Sequence, residues 1–554
     1  MRPSVVSRLL LLASVALLGC EPRAPTAEHP AYRPEQLSRS AHGMVVSGSP
    51  LATDVGVQLL ESGGNAVDAA VATAFALSVV EPCMSGLGGR TQILLRSPEG
   101  VFVGIDGTTE VPAGAPSEPA EEEDLYGYPT IGVPGTVAAL ATAHAAYGTR
   151  PWAELIAPAI ALAEQGFALP PQDAERIAGI AEQLREFEAS SRYFLKPDGQ
   201  TYAANERLVQ SDLARTLRAI AEGGADVFYR GWIADSIAAD MQRRGGFVSA
   251  ADLARHAARR SLVVRGSYRG YDLVGAYLPA SGATTIEALH ILEQFNLTDR
   301  AGTPEWMALT AQALLLSFED RTKDLGTAAR QAHTLVSKDW ATSRATEVED
   351  PRVVESVLLT PSSQASPVWF EPAYTTHLSV ADREGGLVAL TQSLGPIMGS
   401  KVAAPGLGFV YAATMGYLGS QPPGARPFSS QSPLIVLKDG EPAYVLGAAG
   451  ARRIISAIVE VVSRVVDEEL SLADAMALPR FHPTPEVIYI EGRRAATWSA
   501  ADMAELASFG FTPEARASAP YFARIHGIEF DALTDAYIGV ADPRGNGGAR
   551  GARR

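Results

Sequence analysis

The sequence has 554 residues, of which 47% are hydrophobic and 19% are charged. This composition is that of an ordinary globular protein, and the length is sufficient for one large core or for two domains. The formal net charge is -16 and the pI is about 5.1. An acidic chain repels phosphate backbones, so the charge argues against nucleic acid as a partner.

The N-terminus is predicted to be a targeting segment. Arg2 and Arg8 form a basic region, and the apolar run Leu9–Leu18 is too short to span a bilayer. The run ends in Leu17-Leu18-Gly19-Cys20, which resembles the bacterial lipobox and predicts lipidation of Cys20. We therefore expect a lipoprotein signal at 1–19 and a Pro-rich tether at 20–41. The alternative is an ordinary secretory signal. Either signal predicts export from the cytoplasm. A lipoprotein signal further predicts that lipid anchors the protein to a membrane of a bacterial cell envelope.

The first elements after the tether are two helices and two strands. Ala66–Val80 is apolar nearly all round, which predicts a buried helix. A Gly-rich turn at Ser85–Gly89 follows it. The other predicted elements of this region are a helix from about Thr53 to Ser62 and strands at Gln92–Leu95 and Val101–Ile105. Cys83 lies in an apolar stretch and is expected to be buried and inert.

The middle of the chain is predicted to be mostly helical, with one strand at Val263–Gly275. Residues 111–124 have the composition of a loop. The predicted helices are Thr136–Tyr147, Pro151–Gln165, Ser211–Gly223, Ile233–Arg244, Ala250–Arg259, Thr285–Phe295 and Trp306–Asp320.

The chain after residue 360 is predicted to be β-rich. Ser362–Tyr374 is polar and has no apolar period, as is typical of a loop. The Arg- and Gly-rich tail Gly545–Arg554 is interpreted as a frayed terminus. The predicted elements are strands at Thr376–Ala381, Leu387–Leu394, Leu434–Leu437 and Ala443–Leu446 and a helix at Arg453–Val466. The pattern as a whole predicts an α+β protein.

Thr375–Leu394 is predicted to be a hairpin around the loop 382–386. Strand alternation places Thr375, His377 and Ser379 on one face. If Ala381 pairs with Leu387, Thr375 lies opposite Ser393, so a second hydroxyl would lie beside it. A one-residue slip would destroy this arrangement.

A threonine at the edge of such a strand has a possible catalytic use. If the chain is cut between Tyr374 and Thr375, Thr375 gains an α-amine beside its own Oγ. An α-amine has a pKa of about 8 and can accept the hydroxyl proton near neutral pH. The cut can be intramolecular, by attack of Thr375 Oγ on the Tyr374 carbonyl. The alternative is that Thr375–Val380 has merely the β-propensity of an exposed strand.

Several collinear motifs resemble one family. Thr375–Val380 resembles the small-subunit start of the γ-glutamyltransferases, which are N-terminal nucleophile hydrolases. Further matches in order give a resemblance from about residue 42 to Pro543. These matches are Gly63–Ala70, Val80–Pro82, Ser85–Gly89, Gly132–Thr136, Tyr147–Thr149, Phe228–Gly231, Tyr268–Tyr271, Arg426–Ser430 and Pro479–His482.

The resemblance implies a four-layer αββα sandwich and a precursor that cuts itself. The large subunit would be 42–374 and the small catalytic subunit 375–554. The implied reaction is attack by Thr375 on a γ-glutamyl or related amide such as glutathione, with transfer of the acyl group to water or an amino acid. No cofactor is implied. His290, His333 and His482 lack metal-ligand spacing, so no metal is predicted.

Site residues are carried over position by position. Thr375 corresponds to the nucleophile, and Ser393 stands where the family has a threonine that steadies it. Gly450 and Ala451 occupy the paired-glycine position whose N–H groups form the oxyanion hole. Ala451 departs from the second glycine of the pair. Its backbone N–H remains a donor to the oxyanion provided that its φ is negative or the loop relaxes. The paired serines that hold the substrate's α-carboxylate correspond to Ser429 and Ser430.

Other positions of the substrate site depart from the family. Thr108 stands where the family has an arginine that clamps the α-carboxylate. Thr414 replaces a residue with a polar amide side chain. Tyr417 replaces the aspartate that pairs with the substrate's α-ammonium, and Gly395 replaces an asparagine that also contacts the substrate. One hypothesis is that Arg90 supplies a guanidinium to the substrate in place of the missing clamp arginine. The alternative is that Arg90 is only a structural or solvated arginine.

Three functions therefore remain open from the sequence. The first is a γ-glutamyltransferase-like hydrolase and acyltransferase with altered acyl-donor recognition. The second is an acylase of the same fold that acts on non-glutamyl amides. The third is a surface lipoprotein that never cleaves itself and only binds. His377 would position Thr375 or only hydrogen-bond in the sheet, and Asp68 and Asp320 are expected to be structural.

Overall fold

The structure is a computed structural model. It describes residues 31–116, 126–298, 300, 302–350, 373–414, 421–492, 498–516 and 521–553. Within these ranges, no helix has the length and apolar character needed to cross a bilayer.

The helices fall into two groups along the chain, one before and one after residue 280. The first group is α1 (Pro50–Glu61), α2 (Ala66–Val80), α3 (Thr136–Tyr147), α4 (Trp152–Gln165), α5 (Pro171–Gly179), α6 (Ala181–Arg185), α7 (Glu188–Phe194), α8 (Ser211–Tyr229), α9 (Trp232–Arg244) and α10 (Ala250–Arg255). The second group is α11 (Gly282–Leu292), α12 (Pro304–Asp320), α13 (Ala328–Leu335), α14 (Lys338–Ala345), α15 (Arg453–Asp467), α16 (Leu472–Ala477) and α17 (Ala500–Ser508).

Most strands belong to one extended network. The strands are β1 (Leu37–Ser40), β2 (Gly43–Ser47), β3 (Arg90–Arg96), β4 (Phe102–Gly107), β5 (Phe167–Ala168), β6 (Arg207–Leu208), β7 (Arg259–Tyr268), β8 (Tyr271–Tyr277), β9 (Ala373–Asp382), β10 (Leu387–Pro396), β11 (Leu434–Lys438), β12 (Glu441–Ala449), β13 (Phe481–Pro483), β14 (Ile488–Glu491), β15 (Pro513–Arg516), β16 (Arg524–Asp531), β17 (Ala536–Ala541) and β18 (Gly548–Gly551). In the described part of the chain the hydrogen-bonded order is β1-β17-β16-β12-β11-β8-β7-β4-β3-β10-β9-β2-β18. The α+β class predicted from the sequence is confirmed.

Buried apolar side chains of the described ranges form three clusters. One joins α1–α10 to one face of β9 and β10, and another joins α11–α17 to strands such as β8 and β11. The third lies between two sets of strands, one that includes β2, β3, β9, β10 and β18 and one that includes β8, β11, β12, β16 and β17. Adjacent strand residues divide between clusters: Val45 is in the first, whereas Met44 and Val46 are in the third. This period of two shows that β2 is covered on both faces.

Helix α2 begins and ends where its sequence pattern predicts. Every residue from Ala66 to Val80 is buried. The Asn65 side chain accepts the N–H groups of Val67 and Asp68, and the Asp68 carboxylate accepts the Asn65 N–H. This reciprocal capping fixes the start of the helix. The predicted structural role of Asp68 is confirmed, and the end of α2 delivers Glu81 to the site described below.

Two predictions about strands were wrong. Val263–Gly275 is not one strand, because Arg269 and Gly270 form a two-residue turn between β7 and β8. Both turn residues have positive φ, 46° and 83°, as a tight hairpin turn requires. The tail is not frayed either, because β18 pairs with Met44–Ser47 of β2. Pairing satisfies its backbone groups, which Arg and Gly composition does not reveal.

The hairpin of β9 and β10 has the predicted register. Ala381 pairs with Leu387, and Thr375 pairs with Ser393. The Asp382 carboxylate closes the loop by accepting the N–H groups of Glu384 and Gly386. The same carboxylate accepts the Ala66 N–H at 2.9 Å, which ties the hairpin to the start of α2.

Candidate active site

A chain of hydroxyl groups connects Thr375 to the peptide bond that precedes it. Thr375 Oγ1 donates to Ser393 Oγ at 3.0 Å. Ser393 Oγ in turn donates to the carbonyl oxygen of Tyr374 at 3.0 Å. It also accepts the Gly395 N–H at 2.9 Å. Both hydroxyls are buried, so bulk water competes little for these bonds. Ser393 therefore contacts both Thr375 Oγ1 and the carbonyl group that Thr375 Oγ1 would attack.

Arg90 belongs to the same row of side chains. On the far side of β10, Ser393 pairs with Arg90 of β3, so Thr375, Ser393 and Arg90 occupy one row across three strands. Directly paired residues share a face, and neighbouring strands are about 4.8 Å apart. This register is compatible with the hypothesis that Arg90 brings a guanidinium towards the substrate.

His377 is held in the sheet rather than against the nucleophile. Its Nδ1 lies 2.8 Å from Thr391 Oγ1 and its Nε2 lies 3.2 Å from Ser379 Oγ. Burial lowers the pKa of His377 well below its ordinary value, so the ring is neutral. A Cβ on Gly447 would lie 2.3 Å from His377 Cε1, so glycine is needed for the ring to fit. Of the two roles considered, hydrogen bonding in the sheet is the one observed.

The backbone after β12 forms a left-handed turn at the predicted oxyanion position. Gly450 has a φ of 143° and Ala451 a φ of 57°. The φ of Ala451 is thus positive, and the turn keeps the conformation that a glycine pair favours. Left-handed backbone costs a non-glycine residue about 1–2 kcal/mol. Within the described ranges, the N–H groups of Gly450 and Ala451 have no internal acceptor, so they are available to a ligand oxygen.

The predicted serine pair is connected to β10 through Gln431. Ser429 Oγ donates to Gln431 Oε1 at 3.0 Å, and Gln431 Nε2 donates to the Thr391 carbonyl of β10 at 2.8 Å. Arg321 Nη1 donates to Ser430 Oγ at 3.2 Å. Sequence reasoning missed Arg321, which follows α12 and is distant from Ser430 in sequence.

The segment that carries Thr108 is bound internally. Thr108 Oγ1 accepts a hydrogen bond from Gln92 Nε2 at 2.7 Å. Arg426 binds Asp106 and Glu110 on either side of Thr108, each at 2.6 Å. Thr414 Oγ1 lies 2.9 Å from Thr109 Oγ1 and is buried. Tyr417 lies outside the described residues.

A cavity lined by polar and charged side chains lies beside Thr375. Thr375, Thr376 and Ala449 line it together with four charged side chains, two acidic and two basic. Arg176 is paired with Asp173 at 2.7 Å. The cavity is lined by Gly48, Ser49, Pro50, Val80, Glu81, Pro170, Gln172, Asp173, Arg176, Thr375, Thr376, Ala449, Arg524, His526, Gly545, Asn546 and Gly547.

Burial shifts the pKa values of the groups around this cavity. Burial, with a smaller contribution from Asp173, raises the pKa of Glu81 to about 7. Burial and the neighbouring Arg176 lower the pKa of Arg524 to about 10. Burial lowers the pKa of His526 to about 3. Sequence reasoning missed these residues as a group. The one available signal was an arginine within the apolar run Phe522–Ile525.

Other polar residues proposed from the sequence are structural. Asp320 forms ion pairs with Arg344 at 2.7 Å and Lys323 at 2.6 Å. Cys83 is buried, and burial raises the pKa of its thiol well above the ordinary value, as expected for an inert cysteine. The described residues contain no cluster of His, Cys, Asp or Glu that could hold a metal.

The comparisons with known proteins agree on one family. The gamma-glutamyltranspeptidase profile matches residues 52–552. A glutathione hydrolase proenzyme of Pseudomonas sp. strain A14 is 34% identical over 483 residues, which are 81% of this chain and 83% of the relative. The acylase ACY 1 proenzyme of Pseudomonas sp. strain SE83 is 33% identical over 477 residues, 81% and 84% of the two chains.

A solved structure extends the similarity to the fold. The cephalosporin acylase from Bacillus halodurans has a TM-score of 0.85 and 26% sequence identity. The match covers 96% of this chain and 99% of that chain. The relatives and this structure are thus named as a hydrolase and as acylases. The chain described here is an enzyme that belongs to the gamma-glutamyltranspeptidase family.

Proposed function

We propose that this enzyme cuts its own chain before Thr375 and then uses Thr375 as an N-terminal nucleophile on amide substrates. The observation that carries the proposal is the hydroxyl chain from Thr375 through Ser393 to the Tyr374 carbonyl, with both links at 3.0 Å. It brings a nucleophile, a proton relay and a polarised carbonyl into contact. The large subunit would be 42–374 and the small subunit 375–554.

The relay accounts for each proton in the cut. Thr375 Oγ1 attacks the Tyr374 carbonyl carbon while its proton passes to Ser393 Oγ. Ser393 passes its own proton to the carbonyl oxygen, so that no full negative charge develops on that oxygen. The C–N bond then breaks as the hydroxyl formed on the former carbonyl oxygen gives its proton to the Thr375 nitrogen, and an ester joins the Tyr374 carbonyl carbon to Thr375 Oγ1. Water hydrolyses this ester and leaves a Tyr374 carboxylate and a free Thr375 α-amine.

The same groups would act in turnover. The α-amine of Thr375, with an ordinary pKa of about 8, accepts the hydroxyl proton as Oγ1 attacks the substrate amide. The turn at Gly450 and Ala451 offers N–H groups to the developing oxyanion, a contribution of about 3–4 kcal/mol per donor in other hydrolases. Water then releases the acyl group, or an amine accepts it. No cofactor is required.

We further propose that recognition of the acyl group differs from that of a γ-glutamyl enzyme. Thr108 cannot act as a clamp, because its side chain is neutral and binds Gln92. The neighbouring Arg426 is held by Asp106 and Glu110. Arg321 beside Ser430, and Arg90 in the row of Ser393, are the guanidinium groups that could contact an acidic acyl group from other directions.

A second candidate is an acylase on amides without a glutamyl group. The observation that favours it is the similarity to a cephalosporin acylase over 96% of this chain, together with the threonine at position 108. Both candidates fit the four-layer αββα arrangement that we propose for the domain. That proposal is supported by apolar clusters on both outer faces of the strands and between them.

Two measurements test the proposal. Denaturing electrophoresis with N-terminal sequencing determines whether the smaller chain begins at Thr375, with Thr375→Ala as the uncut control. Turnover of γ-glutamyl, glutaryl and phenylacetyl p-nitroanilides then ranks the acyl groups. A single uncut chain would refute self-processing and favour a binding lipoprotein. Efficient γ-glutamyl turnover would refute the altered recognition that we infer from Thr108 and Tyr417.

We propose, finally, that the protein is exported and anchored by lipid at Cys20. The support is the sequence Leu17–Cys20 and the tether that follows it. Metabolic labelling with a fatty acid, and membrane fractionation of the Cys20→Ala variant, test the anchor. Release of Cys20→Ala into the soluble fraction is the expected result, and an unchanged distribution would contradict it.

A further inference from the structure

We infer that Arg426 is a positioning residue for the serine pair, because it fastens the loop that carries Ser429 and Ser430 to the large subunit. Residues 424–431 are called the serine loop below. This inference rests on the proposed function, since it takes the serine pair as a contact of the acyl group and Thr375 as the first residue of the small subunit. It concerns the binding of the acyl group and not the bond-breaking steps.

The serine loop is held mainly at its two ends. Residues 425–433 belong to no helix or strand, so no ladder of backbone hydrogen bonds fixes them. Near the serines, the Ser429 N–H donates to the Pro279 carbonyl at 2.8 Å, and Ser281 Oγ donates to the Ser429 carbonyl at 2.6 Å. The preceding Phe428 is 49% exposed, so packing restrains it little. The position of the serines therefore depends on how the start of the loop is held.

Arg426 holds the start of the loop with every donor of its guanidinium. Nε and Nη2 donate to Glu110 Oε1 at 2.9 and 2.6 Å. Nη1 donates to Asp106 Oδ2 at 2.6 Å and to the Asp106 carbonyl at 2.9 Å. Nη2 also donates to the Ala257 carbonyl at 2.5 Å. The side chain is 4% exposed, and these five contacts use all five N–H groups. Arg426 is thus an anchor of the loop rather than a ligand of the substrate.

The acceptors of Arg426 are themselves fixed. Gln92 Nε2 donates to Asp106 Oδ1 at 2.6 Å, which leaves the other carboxylate oxygen to Arg426. Burial alone would raise the pKa of Glu110, but contacts with His256 and Arg426 lower it to about 2. Glu110 is therefore ionised near neutral pH, and its ion pair with Arg426 is permanent there.

Both ends of the serine loop attach to one row of the sheet. Asp106 of β4 pairs with Gln92 of β3, and Gln92 pairs with Thr391 of β10. Arg426 binds the first residue of this row, and Gln431 Nε2 donates to the carbonyl of the last at 2.8 Å. The row lies two residues along β10 from the row that contains the nucleophile. The two attachments together therefore set where the serine pair lies relative to the nucleophile.

The contacts of Arg426 cross between the two proposed subunits. Arg426 belongs to 375–554, whereas Asp106, Glu110 and Ala257 belong to 42–374. A guanidinium forms a planar fork that can bind two carboxylates at once, whereas a lysine ammonium is a single point of charge. Arg426→Lys therefore keeps the charge of the anchor but loosens the start of the serine loop.

The test is a double-mutant cycle between Arg426→Lys and Ser430→Ala, with the p-nitroanilide that the enzyme prefers as substrate. Each single variant should lower kcat/KM about 10-fold, mainly by raising KM, as for one lost hydrogen bond in binding. In the Ser430→Ala enzyme, Arg426→Lys should cost less than 3-fold, because the hydrogen bond that it disturbs is already absent. Independent structural effects would instead multiply to about 100-fold.

Two controls separate positioning from general damage. Self-cleavage should change less than 3-fold in Arg426→Lys, because the hydroxyl chain from Thr375 to Tyr374 does not include the serine loop. Arg300→Lys is the matched variant, since the Arg300 side chain is 8% exposed and pairs with Asp350 at 2.8 Å. This variant should keep kcat/KM within 3-fold of the wild type.

A second variant keeps the inference testable if Arg426→Lys does not fold. Arg426→Met combined with Asp106→Asn and Glu110→Gln replaces the buried charges by neutral groups, which proteins often tolerate. Its folding is measured by thermal unfolding. This triple variant should show the same 10-fold loss of kcat/KM and the same dependence on Ser430.

Each contrary outcome has its own meaning. Failure of self-cleavage and of all turnover in the wild type refutes the proposed function, and with it this inference. Turnover by Ser430→Ala within 3-fold of the wild type refutes this inference alone. Losses that multiply across the cycle, a loss confined to kcat, or an equal loss in Arg300→Lys would each overturn the positioning role of Arg426.

Discussion

Replacement of Ser393 by alanine tests the proposed relay most directly. Its hydroxyl accepts from Thr375 and donates to the Tyr374 carbonyl, both at 3.0 Å. Loss of one donor to a developing oxyanion costs about 2.7–4 kcal/mol, or 10²- to 10³-fold in rate. We expect cleavage of Ser393→Ala to slow by this factor. The measurement is a time course of freshly translated precursor on denaturing gels.

The same substitution also affects stability, and this effect must be separated from the rate. The Gly395 N–H loses its acceptor at 2.9 Å, and a buried unpaired donor costs about 1–3 kcal/mol. Urea unfolding of uncut precursors that carry Thr375→Ala, with and without Ser393→Ala, measures this loss of stability alone. A rate defect that persists well below the unfolding midpoint then belongs to the chemistry.

Two companion variants complete the test. Ser393→Thr keeps the hydroxyl and should cleave within about 10-fold of wild type, although an added methyl group in a packed site costs about 1–3 kcal/mol. Ser317→Ala is the control, because Ser317 is equally buried but bonds only to the Ala313 carbonyl within α12. Unchanged cleavage in folded Ser393→Ala, or an equal defect in Ser317→Ala, would refute the relay.

Three further predictions concern stability and pH. Gly447→Ala places a Cβ 2.3 Å from His377 Cε1 and should lower the free energy of unfolding in urea by about 1–3 kcal/mol; wild-type stability would contradict it. Because burial raises the pKa of Glu81 to about 7, folding favours its protonated form. Its contribution is therefore lost as pH rises from about 4.5 to 7. Glu81→Gln should remove this pH dependence of the free energy of unfolding. A pH dependence equal to that of the wild type would contradict the raised pKa of Glu81. Asp542→Asn removes the charge partner of Arg480 at 2.8 Å and Arg544 at 3.4 Å. It should cost about 3–5 kcal/mol, and a cost below 1 kcal/mol in thermal or urea unfolding would contradict it.

The parts of the fold that were predictable are those fixed by local pattern. The apolar run Ala66–Val80 between Asn65 and Glu81 has the bounds of α2, because an N-cap begins it and apolar residues fill it. The hairpin register was predictable because the loop 382–386 leaves one pairing that keeps the apolar face of β9 buried. Local rules act over a few residues, so a single sequence is sufficient for them.

The parts that were missed depend on distant partners. Strand β18 is poor in strand-forming residues and forms because β2 presents an unpaired edge to it. Arg321 meets Ser430 across more than 100 residues. The cavity draws its lining from the ends of β2, α2, α5, β9, β12, β16 and β17. No periodicity in the sequence brings such segments together, and collinear family motifs identify residues without giving their neighbours.

The conformation of Ala451 shows how a departure from the family pattern can leave the backbone conformation intact. Alanine stands where the family has glycine, yet the φ of 57° keeps the left-handed turn. The turn is enforced by its surroundings, since a Cβ on Gly450 would lie 2.8 Å from the Cα of Ala523. Close backbone approach therefore fixes Gly450, and Ala451 follows at a modest cost.

The charges beside Thr108 bear on the proposed change in acyl-group recognition. Arg426 is balanced by Asp106 and Glu110, and Thr108 adds no charge. A charge for an acidic acyl group would therefore have to come from Arg321, which donates to Ser430 Oγ, or from Arg90 in the row of Ser393. Neither residue occupies the position of Thr108. The proposed recognition of the acyl group thus differs from the family pattern in the direction from which a positive charge could reach the substrate.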